Sequence, residues 1–502
     1  MSLLDINNLT IKHLSKLIAS REISCAEVVD ATIERIEKLN PKLNAFITIL
    51  GESARREAKH ADSLIKQGKY LGPLHGIPIS LKDLIYVKGV RSTSGSRVLA
   101  DFVPDYDSTV TRKLREAGAI IVGTNNLHEF ASGITGINPH YGSSKNPWDP
   151  TRMSGGSSGG SAVAVSTGMS LASIGTDTSG SIRVPASLCG IFGLKPTYGR
   201  VSKYGVMPLA PSIDHIGPLA RSAWDIAAVL QVIAGYDRMD DSSAKVPVSD
   251  YLREINSSSS PSYSSPYETR DNYNNNKDDT SNNAHFKIGI PKQFFFDMIE
   301  PKVMEIFRQF VDKLNGCGIT TISDVDVDQT DKIFETWRPI RLAEATSIHN
   351  DWMVSKRQDY GEDVIKMLEK GLEVRAVHYI NALHKWRQQI KDAFLKAMYE
   401  GGYDALLVPT TIVPAPFLDQ KQVNIEGKSI DVYSSLSRLT TVFDITDLPA
   451  LNIPAGLVVD SSKLPVGIQL VGRPFDEARM LKIAYTYEHY YNLFEQGTEP
   501  VG

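Results

Sequence analysis

Lys82, Ser157 and Ser181 stand in contexts suited to nucleophilic attack on a carbonyl. Two serine–glycine stretches follow one another, Ser154-Gly155-Gly156-Ser157-Ser158-Gly159-Gly160-Ser161 and Gly175-Thr176-Asp177-Thr178-Ser179-Gly180-Ser181-Ile182-Arg183. A lysine lies upstream in Gly76-Ile77-Pro78-Ile79-Ser80-Leu81-Lys82-Asp83. Glycine permits positive φ and close approach of backbone to a ligand, and successive N–H groups in such turns form anion-binding concavities. A serine there has donors aimed at an oxyanion forming beside it. Its hydroxyl stays a weak nucleophile until a neighbouring base takes the proton, and Lys82 is the leading candidate for that base. To serve near neutrality a lysine must lose about three units from its free pKa near 10.4, about 4 kcal/mol. The mostly apolar run Ile77, Pro78, Ile79 and Leu81 offers the desolvation that would do this.

Other chemistries are less well provided for. Gly155-Gly156-Ser157-Ser158-Gly159 also satisfies the G-x-S-x-G elbow, but that motif must follow a strand directly. Here it follows Asn146-Pro147-Trp148-Asp149-Pro150, whose two prolines exclude a central strand. His378 and His384 are six residues apart, fall on different faces of a helix, and belong to no H-E-x-x-H pattern, so no metal site is indicated. His215, in Ser212–Pro218, reads as structural.

The elements that must position these residues can be read in outline. The chain has 502 residues, 42% hydrophobic and 22% charged, the balance of an ordinary globular protein. Its formal net charge of −4 gives no general attraction to nucleic acid or anionic membrane. Cys25, Cys189 and Cys317 are scattered, without CxxC, as expected of free thiols in a reducing compartment. Met1–Ile6 lacks a basic stretch leading into an apolar core, so no signal peptide is expected. No apolar run approaches the roughly 20 residues that span a bilayer. These features predict a cytoplasmic protein.

Residues 10–67 read as helices, with Val28, Val29, Thr32, Ile33 and Ile36 on one face of Ala26–Ile36. Short β-rich runs then alternate with helical ones. Ala119–Gly123, after a helix over Ser108–Glu116, and Ser170–Ile174 read as strands, and the alternation predicts an α/β sandwich about a largely buried sheet. Between Ser257 and Ala284 the composition turns to serine, asparagine and charge, with little to bury, which predicts a disordered insertion. Helical stretches follow over Pro301–Leu314 and Trp337–Tyr399, and Tyr403–Pro409 reads as a strand.

Gly76–Asp83, Gly155–Ser161 and Gly175–Pro196 together resemble the core of the amidase-signature family. Leu71–Pro78, Gly123–Asn126, Lys145–Trp148, Tyr403–Pro409 and Leu464–Leu470 are also similar, so the resemblance covers nearly the whole chain outside the polar insertion. It implies an α/β/α fold with a large mixed central sheet covered by helices on both faces, a helical segment over residues 1–70 packed on a core of 71–502, and no cofactor. It further implies a Ser–cis-Ser–Lys triad in which Ser181 becomes acylated, Ser157 bridges, and Lys82 is the base. The backbone N–H groups of Thr178, Ser179, Gly180 and Ser181 would make the oxyanion hole, with Asp177 and Arg183 as supporting scaffold. Position 179 is often glycine in the family, so serine there puts the local backbone geometry in question.

Two activities are compatible with this resemblance. The leading expectation is an amidase that hydrolyses a small carboxylic amide to acid and ammonia, as a monomer or homo-oligomer. The alternative is the glutaminase subunit of a glutamyl-tRNA(Gln) amidotransferase, releasing ammonia from glutamine for partner subunits and not itself binding nucleic acid. Gly193–Ser202 is especially close to the second type. The second half of the chain is less so. The family's glutamine-holding arginine is expected where this sequence reads Lys366-Met367-Leu368, and its acidic partner near Ser437, with Arg375 or Asp431 as substitutes. A free amino acid needs a cation for its carboxylate and an anion for its ammonium. Trp337, Trp352, Tyr379 and Trp386 are candidate pocket aromatics, each otherwise explained by core packing.

Overall fold

A computed structural model describes residues 9–257, 286–460 and 462–491. Apart from Ser257, the insertion expected over 257–284 lies outside the described residues. Eleven strands form one mixed sheet: β1 (Phe46–Ile49), β2 (Pro78–Lys82), β3 (Ile120–Asn125), β4 (Ala172–Asp177), β5 (Phe192–Lys195), β6 (His215–Ala220), β7 (Lys287–Pro291), β8 (Thr320–Val325), β9 (Ala405–Pro409), β12 (Ala450–Val459) and β13 (Lys463–Val471). A separate hairpin pairs β10 (Gln422–Ile425) with β11 (Lys428–Asp431). The sheet order is β1-β3-β2-β4-β6-β5-β12-β13-β9-β7-β8. Every residue of β2, β3, β4 and β6 is buried. Strands with neither face in water must be covered on both, which accounts for their mostly apolar composition ahead of the polar residues that end β2, β3 and β4.

Several helices begin at a side chain that caps them. Ser24 caps Cys25–Leu43 through a reciprocal capping box with Glu27. The buried stripe of this helix contains Val28, Val29, Thr32, Ile33 and Ile36, as its periodicity predicts. Residues 10–67 are not wholly helical, however. Asn44 takes the left-handed conformation that ends the helix, and β1 then pairs antiparallel with β3 at the sheet edge. The long helical stretch expected from Trp337 to Tyr399 is likewise broken, into Ile333–Ser355, Glu362–Gly371, Ala376–Asn381, a π-turn at Ala382–Trp386, and Arg387–Glu400.

What matters for chemistry is the register of three neighbouring parallel strands. Lys82 is opposite Asn125 in the β2–β3 pair, and Leu81 is opposite Ile174 in the β2–β4 pair. Lys82, Asn125 and Asp177 each end their strand, so three carboxyl ends converge on one rim of the sheet. Ligands of open α/β sheets bind on that rim. No described helix is long and apolar enough to cross a membrane.

Candidate active site

The site is built from the carboxyl ends of β2 and β4 and from the loop before the helix Gly159–Ser166. Lys82 is fully buried. Its Nζ donates to Ser157 Oγ and to Thr176 Oγ1, each at 2.7 Å. Burial lowers its pKa to about 7, against the opposing pull of the Asp177 and Asp214 carboxylates.

Ser157 follows a loop rather than a strand, and the peptide joining Gly156 to it is cis. Its carbonyl accepts from the His128 N–H at 3.1 Å, and the next N–H, that of Ser158, donates to the Ser181 carbonyl at 3.1 Å. The latter bond places the two serine loops side by side. Ser158 Oγ donates to the Thr176 carbonyl at 3.2 Å, binding the same loop to β4. Ser181 lies between β4 and the helix Arg183–Cys189, a strand–turn–helix setting. It is 2% exposed, and among the described residues its hydroxyl has no hydrogen-bond partner.

Asp177 organises the turn from β4 into that helix. Its Oδ1 accepts from the Gly180 N–H at 2.5 Å, and its Oδ2 from the Ile182 N–H at 3.0 Å. Arg183 Nε and Nη2 reach the same carboxylate at 3.1 Å each. Burial would raise the Asp177 pKa, but the charge and hydrogen bonds of Arg183 outweigh it and hold the carboxyl well below its usual range. Arg183 is fully buried and also donates to Asp444 Oδ2 at 2.7 Å, Gln469 Oε1 at 2.9 Å and the Thr440 carbonyl at 3.0 Å. Burial and repulsion from Asp177 push Asp444 far above the ordinary carboxyl range.

One expected oxyanion donor is lost to this turn. The Gly180 N–H is spent on Asp177 and is not available to a ligand. Among the described residues the N–H groups of Thr178, Ser179 and Ser181 have no acceptor within the chain. Serine at 179 brings no left-handed backbone; Gly180 takes φ +118° instead, and a Cβ there would stand 2.2 Å from Thr440 Oγ1. The Thr440 hydroxyl donates to the Ser179 carbonyl at 2.6 Å, and Thr178 Oγ1 donates to Asp214 at 2.6 Å. His215, opposite Asp177 in β6, keeps Nδ1 2.9 Å from the Ile213 carbonyl, and burial lowers its pKa well below the usual value.

Thr176, Asp214, Thr440, Asp444 and Gln469 were not identified from sequence. Thr176 lies within the second motif and alternates with Asp177 along β4, which is a usable signal. Asp444 and Gln469 come from 261 and 286 residues away from Arg183 and carry no local one.

Two clefts lie near the Thr178–Ser181 turn, the first touching it at Thr178 and the second reaching it through Trp337. One, of about 720 Å³, is lined by Thr176, Thr178, Lys203, Asp214 and Tyr379. The other, of about 680 Å³, is lined by Ser132, Trp337, Arg341, Lys366, Asp431 and Ser437, among others. Trp337, on the lining of the second cleft, donates from Nε1 to the Thr178 carbonyl at 3.4 Å and so ties that cleft to the turn. Of the expected pocket aromatics, Trp337 and Tyr379 line these clefts, Trp386 lines a separate surface depression, and Trp352 stacks on Phe130. Of the two expected substitutes for the glutamine-holding pair, Asp431 lines the second cleft. Arg375, the residue preceding the helix Ala376–Asn381, lines the depression with Trp386 instead.

Similarity to known proteins extends over nearly the whole chain. A profile of the family described as Amidase matches residues 27–481. The A-type subunit of glutamyl-tRNA(Gln) amidotransferase from Moorella thermoacetica is 37% identical, over 97% of this chain and 97% of that protein. The crystal structure of the corresponding A-type subunit from Thermotoga maritima superposes with TM-score 0.76 at 32% identity, covering 97% of this chain and 95% of that one. A crystal structure described as an amidase superposes with TM-score 0.82 at 30% identity, covering 96% of this chain and 100% of that one.

Proposed function

The chain belongs to the amidase family, and on that premise we propose that it cleaves the C–N bond of a carboxylic amide through an acyl-serine on Ser181. The observation carrying this reading is the buried Lys82 Nζ, 2.7 Å from Ser157 Oγ in a setting that lowers its pKa to about 7. A lysine neutral near pH 7 takes the Ser157 proton as Ser157 takes that of Ser181. Ser181 Oγ then attacks the carbonyl, and the N–H groups of Thr178, Ser179 and Ser181 meet the oxyanion. Return of the proton releases ammonia, and water hydrolyses the acyl-serine by the same path in reverse. Asp177 and Arg183 hold the turn in place without touching the substrate.

Between the two activities, the relatives favour the alternative over the leading expectation. Proteins named as A-type subunits of glutamyl-tRNA(Gln) amidotransferase match this chain at 35–37% identity over at least 95% of its length. On this reading glutamine supplies the ammonia and partner subunits consume it. One observation speaks for a free-standing amidase: Met367 and Ser437 line the cleft where the resemblance calls for an arginine and an acid.

The test is ammonia release by the purified chain from glutamine and from simple aliphatic and aryl amides. Turnover that disappears in Ser181→Ala supports the acyl-serine reading. Turnover surviving that substitution, or an acyl adduct on another residue in the mass spectrum, overturns it. Glutamine activity that rises with partner subunits selects the amidotransferase, and activity on simple amides alone selects the free-standing enzyme.

A further inference from the structure

The second cleft contains a buried cation without a counter-ion. Arg341, on the helix Ile333–Ser355, is 5% exposed. Its Nη2 donates to the Ser132 carbonyl at 2.5 Å and lies 3.3 Å from Ser132 Oγ. Its Nε has no partner, and among the described residues no carboxylate forms an ion pair with the guanidinium. A buried charge is costly unless paired, and proteins almost always provide the pair. Here the missing anion has a place to come from, since Arg341 is part of the cleft wall.

The surroundings restrict what that anion is. The Trp337 and Tyr433 rings lie 5.3 Å and 5.7 Å from the guanidinium carbon, in the range of cation–π contact. With Nη2 bonded to Ser132 and Nε sealed from solvent, Nη1 is the nitrogen left for a carboxylate oxygen of a ligand. Lys366, at the same cleft, is already paired with Glu362 on the surface, and His128 with Asp363. Asp363 and Asp431 stand on the lining with Arg338 and Lys370, so the cleft is of mixed sign.

The position relative to the reacting atoms is also defined. Trp337, whose ring the guanidinium overlies, is bonded to the Thr178 carbonyl of the oxyanion turn. Ser132, to which Arg341 is bonded, is four residues from His128, whose N–H holds the Ser157 carbonyl. Trp337 and the Ser132 segment thus connect Arg341 to the loops bearing Ser157 and Ser181.

We propose that Arg341 anchors a carboxylate on the substrate, so that this site selects amides of short carboxylic acids carrying a second, free carboxylate. The proposal rests on the acyl-serine reading above. It identifies the anchor as a residue of the helix Ile333–Ser355, replacing the arginine that the resemblance calls for near Met367.

The experiment compares glutaramate with pentanamide, two amides of the same length with and without the carboxylate. In the parent chain kcat/KM for glutaramate exceeds that for pentanamide by on the order of 10- to 100-fold, the range of a charge-assisted hydrogen-bonded pair. In Arg341→Met that ratio falls toward one through a higher KM for glutaramate, and Arg341→Lys recovers part of it. An unchanged ratio, or an equal loss for both amides, overturns the proposal and leaves Arg341 a structural residue. Glutaramate binding to the Ser181→Ala chain by calorimetry keeps the two readings apart. Binding there that Arg341→Met abolishes supports the anchor whatever the fate of the acyl-serine reading. Binding that Arg341→Met leaves intact refutes it.

Discussion

At the residue scale the deciding quantity is the protonation state of Lys82. The amine must be neutral to accept a proton, so activity is lost as pH falls below about 7 and the amine charges. We expect kcat/KM to rise with pH through that value and to level off above it. Lys82→Arg removes the plateau at every pH up to 9, because a guanidinium does not deprotonate there. A pH–rate profile with no limb between 6 and 8 would show that another group limits the reaction. Thr176 holds the same amine by one hydrogen bond of 2.7 Å. Thr176→Val should lower kcat by about tenfold, on the order of 1 kcal/mol for one such bond, with the fold intact by circular dichroism.

At the scale of elements, the turn from β4 into the helix Arg183–Cys189 depends on one arginine shared by two carboxylates. Asp177 is held ionised by Arg183, whereas burial and Asp177 itself drive Asp444 toward its neutral form. The two should therefore respond differently to the same change. Asp444→Asn mimics the neutral acid and should alter stability by less than about 1 kcal/mol. Asp177→Asn strands the Arg183 charge and should cost about 3–5 kcal/mol, as for other broken buried pairs. Urea denaturation of the two variants at pH 7 measures the contrast, and equal losses would refute the assignment of charge. Gly180→Ala should also cost activity, because φ +118° is unfavourable for alanine and its Cβ would meet Thr440 Oγ1 at 2.2 Å.

At the scale of the whole molecule, the first and last described helices are joined through the helix Ala223–Ile233. Asp225 at the start of the helix Ala223–Ile233 accepts from the Ile11 N–H at 3.0 Å. Glu488, on the last described helix, accepts from the Ala223 N–H at 2.9 Å. Burial raises the Glu488 pKa to about 8, so the folded protein binds a proton there that the unfolded chain releases above about 4.5. Stability from this group therefore falls as pH rises from about 4.5 to 8. Glu488→Gln should match the parent near pH 4 and exceed it near pH 8.5, by about 1–3 kcal/mol. A variant less stable than the parent at pH 8.5 would show that Glu488 is ionised in the fold. The segment between the helix Cys25–Leu43 and β1 is equally bound to the sheet. The Ala45 carbonyl accepts from the Asn126 N–H at 2.8 Å, just beyond the strand end that faces Lys82.

Local chemistry explains how much of this was legible beforehand. Lys82, Ser157, Ser181, Asp177 and Arg183 lie in short glycine- and serine-rich or apolar runs, where motif and composition coincide. The α/β alternation and the amphipathic face of Cys25–Leu43 follow from side-chain periodicity, which backbone geometry enforces locally. The tertiary structure alone decided the partners of those residues. Asp444 and Gln469 reach Arg183 only because β13 and the segment before β12 pack on the helix that carries it. The loss of the Gly180 N–H to Asp177 depends on the turn's dihedrals, not on its composition. Arg341, which the sequence did not single out, shows this dependence again. Burial between Trp337 and Tyr433, without an anion, makes it a candidate for binding.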